Sequence, residues 1–209
     1  MITPSTFTGG DLATNAYLLP VEGGVLCFDA PEGLAAALRK KDITVRALIL
    51  THGHFDHIWD AALIQADHKC PVYAHADDAG MIRDPSIFAR FGVREVIAPV
   101  NDLQLIDVPQ LGAAPFTVAG ETFQAFHIPG HSLGSLAFYH APWSLVIGGD
   151  ILFAGGVGRW DLPGGNHDTL IAGIRQHLLV LPEETRVYPG HGGPTSIGEE
   201  KETNPFLMD

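Results

Sequence analysis

Thr51-His52-Gly53-His54-Phe55-Asp56-His57 is the stretch of this 209-residue sequence that decides its fold. It directly follows the apolar run Ala47-Leu48-Ile49-Leu50, and an apolar run that stops at Thr-His-Gly predicts a buried strand ending in a loop. His52 and His54 lie two residues apart, so both can project toward one point from an extended backbone. Imidazole nitrogens and a carboxylate are the ligands expected for zinc, with iron or manganese also fitting.

Three later strand ends also offer a histidine or an aspartate. The apolar residues 125–128 lead into Pro-Gly-His131, residues 145–149 lead into Asp150, and residues 186–188 lead into Pro-Gly-His191. Side chains at strand ends can line one edge of stacked sheets, which brings together ligands that are distant in sequence. The alternative, solvated loop histidines in the first motif, leaves the recurrence at four strand ends unexplained.

These motifs, in this order, resemble those of the metallo-β-lactamase superfamily, on its glyoxalase II (hydroxyacylglutathione hydrolase) branch of the short single-domain bacterial type. The resemblance implies an α/β fold, the four-layer αβ/βα sandwich, and two divalent metal ions, zinc foremost. The ligands it implies are His52, His54 and His131 for one ion and Asp56, His57 and His191 for the other, with Asp150 between them. A carboxylate suits the bridging role because it has two oxygens. Neither cysteine stands at a ligand position, as a thiolate commonly does in true β-lactamases, which disfavours antibiotic hydrolysis.

The reaction that the resemblance implies is hydrolysis by a hydroxide that bridges the two ions. Asp56 and Asp150 are the candidate catalytic residues, and Asp56 is a candidate to take the proton of the bridging water. The metal motif alone fits thioester, lactone, amide or phosphodiester bonds. In glyoxalase II a basic residue after the bridging aspartate meets a glutathione carboxylate, and Arg159 stands there, which favours a small-molecule thioester such as S-lactoylglutathione. The alternative for Arg159 is a surface ion pair with Asp161.

The sequence also departs from glyoxalase II. The chain ends soon after His191, so we expect the helical domain that holds much of the glutathione in longer enzymes to be absent, and the site to be more open. Gly192 and Gly193 replace acidic and aromatic residues of the family. A mononuclear iron persulfide dioxygenase, which shares the ligands, is the alternative function. A metal-binding scaffold without catalysis is disfavoured because all seven ligands are present.

Composition favours one domain over residues 1–209. A net charge of −12 disfavours nucleic acid and anionic membranes as partners, because both need a basic surface. Residues 1–4 lack the basic start of a signal peptide, and no apolar stretch approaches the roughly 20 residues of a membrane span. We therefore expect a cytoplasmic monomer or small homo-oligomer, with Cys27 and Cys70 as buried thiols.

Patterning predicts several elements around these motifs. Residues 14–19 and 24–29 predict a hairpin, residues 33–41 a helix, the motif a helix running on to residue 67, and residues 171–179 a helix capped by Asp168 or Thr169. Residues 77–96 hold mixed helical signals and are a candidate mobile cover. Asp29 ends an apolar strand and is a candidate to orient a ligand histidine. His75 is interpreted as a hydrogen-bonded loop residue, and His127 as a core residue or a support of the ligands.

Overall fold

Two six-stranded sheets face each other in the computed structural model of the chain, which describes residues 3–208. The first sheet has the strand order β1-β2-β3-β4-β5-β6, antiparallel from β1 to β3 and parallel from β3 to β6. Its strands are β1 (Ser5–Gly9), β2 (Thr14–Val21), β3 (Gly24–Phe28), β4 (Val45–Ile49), β5 (Val72–His75) and β6 (Leu103–Ile106). The predicted hairpin is confirmed as β2 and β3.

The second sheet is mainly antiparallel, in the order β14-β13-β10-β9-β8-β7, with β10 and β13 parallel. Its strands are β7 (Ala113–Val118), β8 (Glu121–His127), β9 (Leu136–His140), β10 (Leu145–Gly149), β13 (Arg186–Pro189) and β14 (Thr195–Ser196). A small hairpin of β11 (Leu152–Phe153) and β12 (Gly156–Val157) follows β10. It lies between the strand that precedes Asp150 and the segment that contains Arg159.

The central core lies between the two sheets. Alternate residues of each strand point inward, so one apolar face per sheet is buried against the other. Phe28 of the first sheet contacts Phe123 and Phe138 of the second, with ring centroids 5.5 and 5.4 Å apart. Burial of such aromatic faces holds the two sheets at a fixed separation.

Helices cover the outer face of each sheet. The helices are α1 (Leu34–Lys40), α2 (Phe55–Ile58), α3 (Ala61–His68), α4 (Ala79–Arg83), α5 (His167–Gly173) and α6 (Ile197–Thr203). Leu34, Leu38 and Ile64 belong to a second apolar cluster on the first sheet, while Leu170 and Ile197 belong to a third cluster on the second sheet. The layers are therefore helix, sheet, sheet, helix, and the predicted four-layer sandwich is confirmed.

Two local predictions were wrong. The motif helix is broken after α2, because the Asp60 carboxylate accepts a hydrogen bond from the backbone N–H of Ala35 (2.8 Å) and ties this position to α1.

The last long helix begins at His167 and is capped by neither Asp168 nor Thr169. Asn166 is its cap, accepting the backbone N–H of Thr169 (2.9 Å) through its side-chain oxygen, and the helix continues as a π-helical turn over Ile174–Leu178.

Residues 77–96 do cover one side of the ligand-bearing edge. They form a 3₁₀ turn at Ala76–Asp78, helix α4, a 3₁₀ segment at Pro85–Phe91 and an irregular stretch. Ile82 and Phe88 anchor the segment in the core of the first sheet. Its mobility stays a prediction. Within residues 3–208 the structure contains no helix of the length and apolar character that crossing a bilayer requires.

Candidate metal centre

All seven predicted ligands lie at the ends of four strands or in the short helix that follows one of them. The loop after β4 carries His52 and His54, and α2 carries Asp56 and His57. The remaining three ligands are His131 after β8, Asp150 after β10 and His191 after β13. Because these strands belong to two facing sheets, their ends meet at one edge of the sandwich.

The seven side chains converge in three overlapping groups, each with its ligand atoms within 4.8 Å of one another. The groups are His52, His54 and His131; His52, His57 and Asp150; and Asp56, His57 and His191. The first and third groups are the two ligand sets that the sequence predicts. The geometry thus brings together every predicted ligand and is compatible with a dinuclear site.

Asp150 lies between the two sets, as the bridging prediction requires. Its Oδ2 is 3.5 Å from His131 Nε2 in one set and 3.3 Å from His191 Nε2 in the other, while its Oδ1 is 3.4 Å from His57 Nε2. Gly190 allows this approach, because a Cβ at that position would collide with Asp150 Oδ1 and with the ring of His57. The strand end therefore has no room for a larger residue before His191.

Hydrogen bonds on the outer side of three rings fix which nitrogen faces the cluster. His57 Nδ1 lies 2.8 Å from Asp29 Oδ2, His131 Nδ1 lies 2.8 Å from the Arg159 carbonyl, and His191 Nδ1 lies 3.0 Å from the Leu12 carbonyl. Each Nδ1 donates to its acceptor, so in the metal-bound state each Nε2 would point inward with a lone pair, as is usual for metal-binding histidines. The predicted orienting role of Asp29 agrees with this contact.

Three of the inward atoms lack hydrogen-bond partners. Of six buried side-chain nitrogen and oxygen atoms without a hydrogen bond in the described residues, three are His52 Nε2, His57 Nε2 and Asp150 Oδ1. A buried polar atom left unpaired is costly, so it normally has a protein, water or metal partner. Imidazole nitrogens and carboxylate oxygens that converge in this way fit divalent ions of the zinc, iron or manganese type.

The charge balance of the cluster also favours cations. Burial lowers the pKa of the His54 imidazole to about 3, so the ring is neutral at pH 7. Burial opposes charge on Asp56, but the neighbouring His57 imidazole and the hydrogen bonds from His191 and Thr14 together outweigh it and lower the pKa of this carboxyl to about 2. Burial likewise opposes charge on His191, yet hydrogen bonds to the carboxylates of Asp150 and Asp56 raise its pKa to about 10. Carboxylates that stabilise protonated imidazoles would also stabilise metal cations once those protons have left.

Two supporting contacts were missed at the sequence level. The Thr14 hydroxyl donates to Asp56 Oδ2 (2.6 Å), which orients this carboxylate from β2. The fully buried carboxylate of Asp78 accepts from the backbone N–H of Gly53 (2.8 Å), the hydroxyl of Ser132 (2.7 Å) and the backbone N–H of Gly134 (2.8 Å). Asp78 therefore joins the loop of His52 and His54 to the loop of His131. Its place just beyond the end of β5 is the only sequence signal for this role.

His75 and His127 form a separate buried pair beside the centre. Their rings stack at 4.1 Å with an interplanar angle of 18°, so their lone pairs run parallel and do not meet at one point. Asp77 lies near enough to complete a triad with them, but both nitrogens of His127 are already engaged, by the Leu111 N–H and the Leu133 carbonyl. The pair is structural, in agreement with the core interpretation of His127. Cys27 and Cys70 are free and buried, as predicted.

A pocket of about 860 Å³ opens over the cluster, and Arg159 lies at its wall. The Arg159 guanidinium pairs with the Asp161 carboxylate through two contacts of 2.8 and 3.0 Å, and both side chains are exposed. The ion pair considered as the alternative role for Arg159 is therefore formed. Its position at the pocket also leaves the guanidinium accessible to a ligand.

Comparison with known proteins agrees with this fold and site. The profile of the metallo-beta-lactamase superfamily matches residues 8–191. "Probable metallo-hydrolase YqgX" of Bacillus subtilis is 38% identical over 203 residues, which covers 95% of this chain and 94% of that protein. "Hydroxyacylglutathione hydrolase GloC" of Haemophilus influenzae is 32% identical over 178 residues, which covers 84% of this chain and 82% of that protein.

Solved structures give the same result. The BLEG-1 B3 metallo-beta-lactamase superposes with a TM-score of 0.89 at 34% identity, covering 99% of this chain and 100% of that one. TTHA1623 in a di-iron-bound form has a TM-score of 0.85 at 37% identity, with the same coverage. ETHE1 from Myxococcus xanthus has a TM-score of 0.75 at 25% identity, covering 98% and 84%.

Fold, ligand cluster and relatives together define a metal-dependent hydrolase. The chain belongs to the metallo-beta-lactamase superfamily.

Proposed function

We propose that this protein hydrolyses a thioester of glutathione or of a comparable small thiol, with S-lactoylglutathione as the first candidate. The observation that carries the proposal is the position of Arg159. Its backbone carbonyl accepts the hydrogen bond of the ligand His131, and its side chain lines the pocket that contains the ligand cluster. A guanidinium there suits a carboxylate of the thiol carrier, because it binds carboxylates bidentately. The relationship to the H. influenzae hydroxyacylglutathione hydrolase supports the same substrate class.

The residues for the reaction follow from the geometry. His52, His54 and His131 would hold one ion, and Asp56, His57 and His191 the other, with Asp150 shared. When bound, two divalent ions supply a water of lowered pKa and a Lewis acid for the substrate carbonyl.

Asp56 is the residue best placed to move the proton. Its pKa of about 2 keeps the carboxylate ionised at neutral pH, and it is only partly buried at the pocket. The Thr14 hydroxyl donates to Oδ2, which also lies 3.3 Å from the Nε2 atoms of His57 and His191, so Oδ1 would be the oxygen to accept a proton from the attacking water. Asp29 keeps the inward nitrogen of His57 unprotonated in the ligated state by accepting at the other nitrogen.

Arg159 is available to a substrate despite its partner. Asp161 is as exposed as Arg159, and exposed ion pairs are weak because water solvates both ions. A substrate carboxylate that also gains contacts in the pocket can therefore replace Asp161. The position of the guanidinium would select thioesters whose carrier bears a carboxylate.

The test is release of free thiol from S-lactoylglutathione by protein reconstituted separately with zinc, manganese and iron. We expect cleavage without oxygen, and loss of cleavage in Asp150→Asn. Asp168→Asn is the matched control, because the Asp168 side chain is fully exposed. Absence of thiol release with every metal would contradict the proposal.

Two relatives give specific alternatives. The likeness to ETHE1 at 25% identity favours the persulfide dioxygenase that shares the ligands, and oxygen uptake by the iron form with glutathione persulfide would identify it. The likeness to BLEG-1, a B3 metallo-beta-lactamase, supports β-lactam hydrolysis as a second alternative. A chromogenic cephalosporin in the same assay tests this. Either activity, together with no thiol release, would replace the proposed one.

A further inference from the structure

We propose that the pocket over the ligand cluster binds an apolar acyl group, so that thioesters with an aliphatic or aromatic acyl chain are better substrates than the lactoyl thioester. This inference rests on the proposed thioester hydrolysis and specifies its acyl group. It depends on three observations: the two walls of the pocket, its polar groups and its open side.

The first wall comes from α2 and the segment that follows β5. Phe55, Met81, Ile87, Phe88 and Phe91 line the pocket there. The rings of Phe55 and Phe88 are in contact, with centroids 5.8 Å apart, and Phe88 is buried in the core of the first sheet. This anchorage gives the wall a fixed aromatic surface, with Met81 as a flexible apolar side chain beside it.

The second wall comes from three other parts of the chain. Leu12 precedes β2, Phe153 and Val157 belong to the small hairpin after Asp150, and Leu162 and Pro163 follow Arg159. These residues are also apolar. A substrate carbonyl at the ligand cluster would therefore have its neighbouring substituent between two hydrophobic surfaces.

The polar groups of the pocket are almost entirely the proposed metal ligands. His54, Asp56, His131, Asp150 and His191 line it, and Arg159 is the one further polar side chain among the lining residues that the structure describes. A buried hydroxyl needs a hydrogen-bond partner, and the ligands would be occupied by metal. The lactoyl hydroxyl would therefore find no partner in the apolar part of the pocket.

The open side of the pocket is also apolar. Leu12 and Phe91 line it with 52% and 57% of their surfaces exposed. Adjacent large apolar side chains at a pocket opening indicate a binding surface. The volume of about 860 Å³ lies in the range of pockets that enclose drug-sized ligands, so the pocket can hold an acyl chain together with part of the thiol carrier near Arg159.

The first measurement is a substrate series with one small neutral carrier, N-acetylcysteamine, and the holoenzyme. We expect kcat/KM to rise by about fourfold for each methylene added from acetyl through butanoyl to hexanoyl, the factor for burial of one CH₂. The propanoyl and lactoyl thioesters form a matched pair that differs by one hydroxyl. We expect propanoyl to be the better substrate.

Substitutions in the first wall test whether that wall causes the preference for longer acyl chains. Phe91→Ser changes an exposed side chain, and Met81→Gln replaces a half-buried one with a side chain of similar length, so the fold should persist in both. Both should reduce the ratio of hexanoyl to acetyl kcat/KM. Val96→Ser is the matched control, because Val96 follows the same segment, is 98% exposed and is absent from the pocket lining. It should leave the ratio unchanged.

A binding measurement separates this inference from the proposed function. Calorimetry with the uncleavable methyl and hexyl thioethers of N-acetylcysteamine gives affinities that do not depend on hydrolysis. Tighter binding of the hexyl compound, weakened in Met81→Gln, would support the apolar pocket even if no thioester were cleaved. Equal affinities of the two thioethers would overturn the inference, even if thioesters were cleaved and the proposed function stood.

Discussion

Removal of the Asp78 carboxylate should loosen two ligand loops at once. Asp78 is fully buried and accepts three hydrogen bonds, from Gly53 between two ligand histidines and from Ser132 and Gly134 beside His131. The Ser132 hydroxyl keeps a second partner in the Ser135 hydroxyl (2.8 Å) after the change Asp78→Ala. The two backbone N–H groups have no other hydrogen bond among the described residues and would be left unpaired.

The magnitude follows from these two groups. An unpaired buried donor costs about 1–3 kcal/mol, so two cost about 2–6 kcal/mol. Water entering the space of the lost carboxylate offsets part of this, and we expect Asp78→Ala to lower the free energy of unfolding by about 3–4 kcal/mol. Asp78→Asn keeps one oxygen acceptor and should lose about half as much.

Two assays test this reasoning. Urea unfolding of the metal-free protein gives the change in stability, and competition with a chromophoric chelator gives the change in metal affinity. We expect the affinity to fall about 10- to 100-fold, as for other residues that support metal ligands. Asp77→Ala is the matched control, because its side chain is half-exposed and its one ion pair among residues 3–208 is with His75, at 3.7 Å. It should stay within about 0.5 kcal/mol of the parent protein.

The reasoning would be refuted by a soluble Asp78→Ala protein with the stability and metal affinity of the Asp77→Ala control. Such a result would mean that the two loops hold their positions without the carboxylate between them. Loss of stability with unchanged metal affinity would contradict the role of Asp78 in positioning the ligand loops, but not its role in stabilising the fold.

Three further predictions concern the centre itself. The purified protein should carry about two metal ions per chain, and Asp150→Ala should lower occupancy at both positions, because this residue contacts histidines of both sets; elemental analysis with one ion in fully active protein would contradict this. Arg159→Ala should raise KM for glutathione thioesters several-fold and leave N-acetylcysteamine thioesters unaffected, since only the first carrier bears carboxylates; equal KM values for parent and variant would return Arg159 to a surface ion pair. Metal uptake at pH 7 should release protons, because Asp150 and Asp56 raise the pKa of His191 to about 10 and this proton must leave before His191 binds metal. The apparent metal affinity should therefore rise with pH up to about 10. Calorimetry in two buffers of different ionisation enthalpy measures the released protons, and identical heats would contradict the prediction.

The ligand set was the part of the site most open to sequence reasoning. Each ligand stands where an apolar strand stops, and a strand end is a local pattern that needs no knowledge of distant residues. The chemistry of histidine and aspartate then restricts the function. For the same reason the hairpin of β2 and β3 and the helix α1 were predicted close to their observed bounds.

Local sequence patterns gave wrong predictions where a contact with a distant residue determines the backbone conformation. The helix break at Asp60 depends on Ala35, which is 25 residues earlier. The Asn166 cap was missed because Asp168 and Thr169 are also good capping residues, and only the entry angle of the chain selects among them.

By itself the sequence determined the ligand types and their order along the chain, because both follow from residue chemistry and short-range periodicity. The sandwich that gathers the ligands was inferred from the family resemblance that these motifs carry. Only the tertiary structure decided that Asp78 joins two ligand loops and that Thr14 orients Asp56 from 42 residues away. It alone decided that residues near positions 12, 88 and 157 form one apolar pocket. Such contacts depend on which strands and loops approach each other in space. A side chain that packs against a residue of another layer produces no periodic pattern in the sequence around it, so the contact cannot be predicted locally.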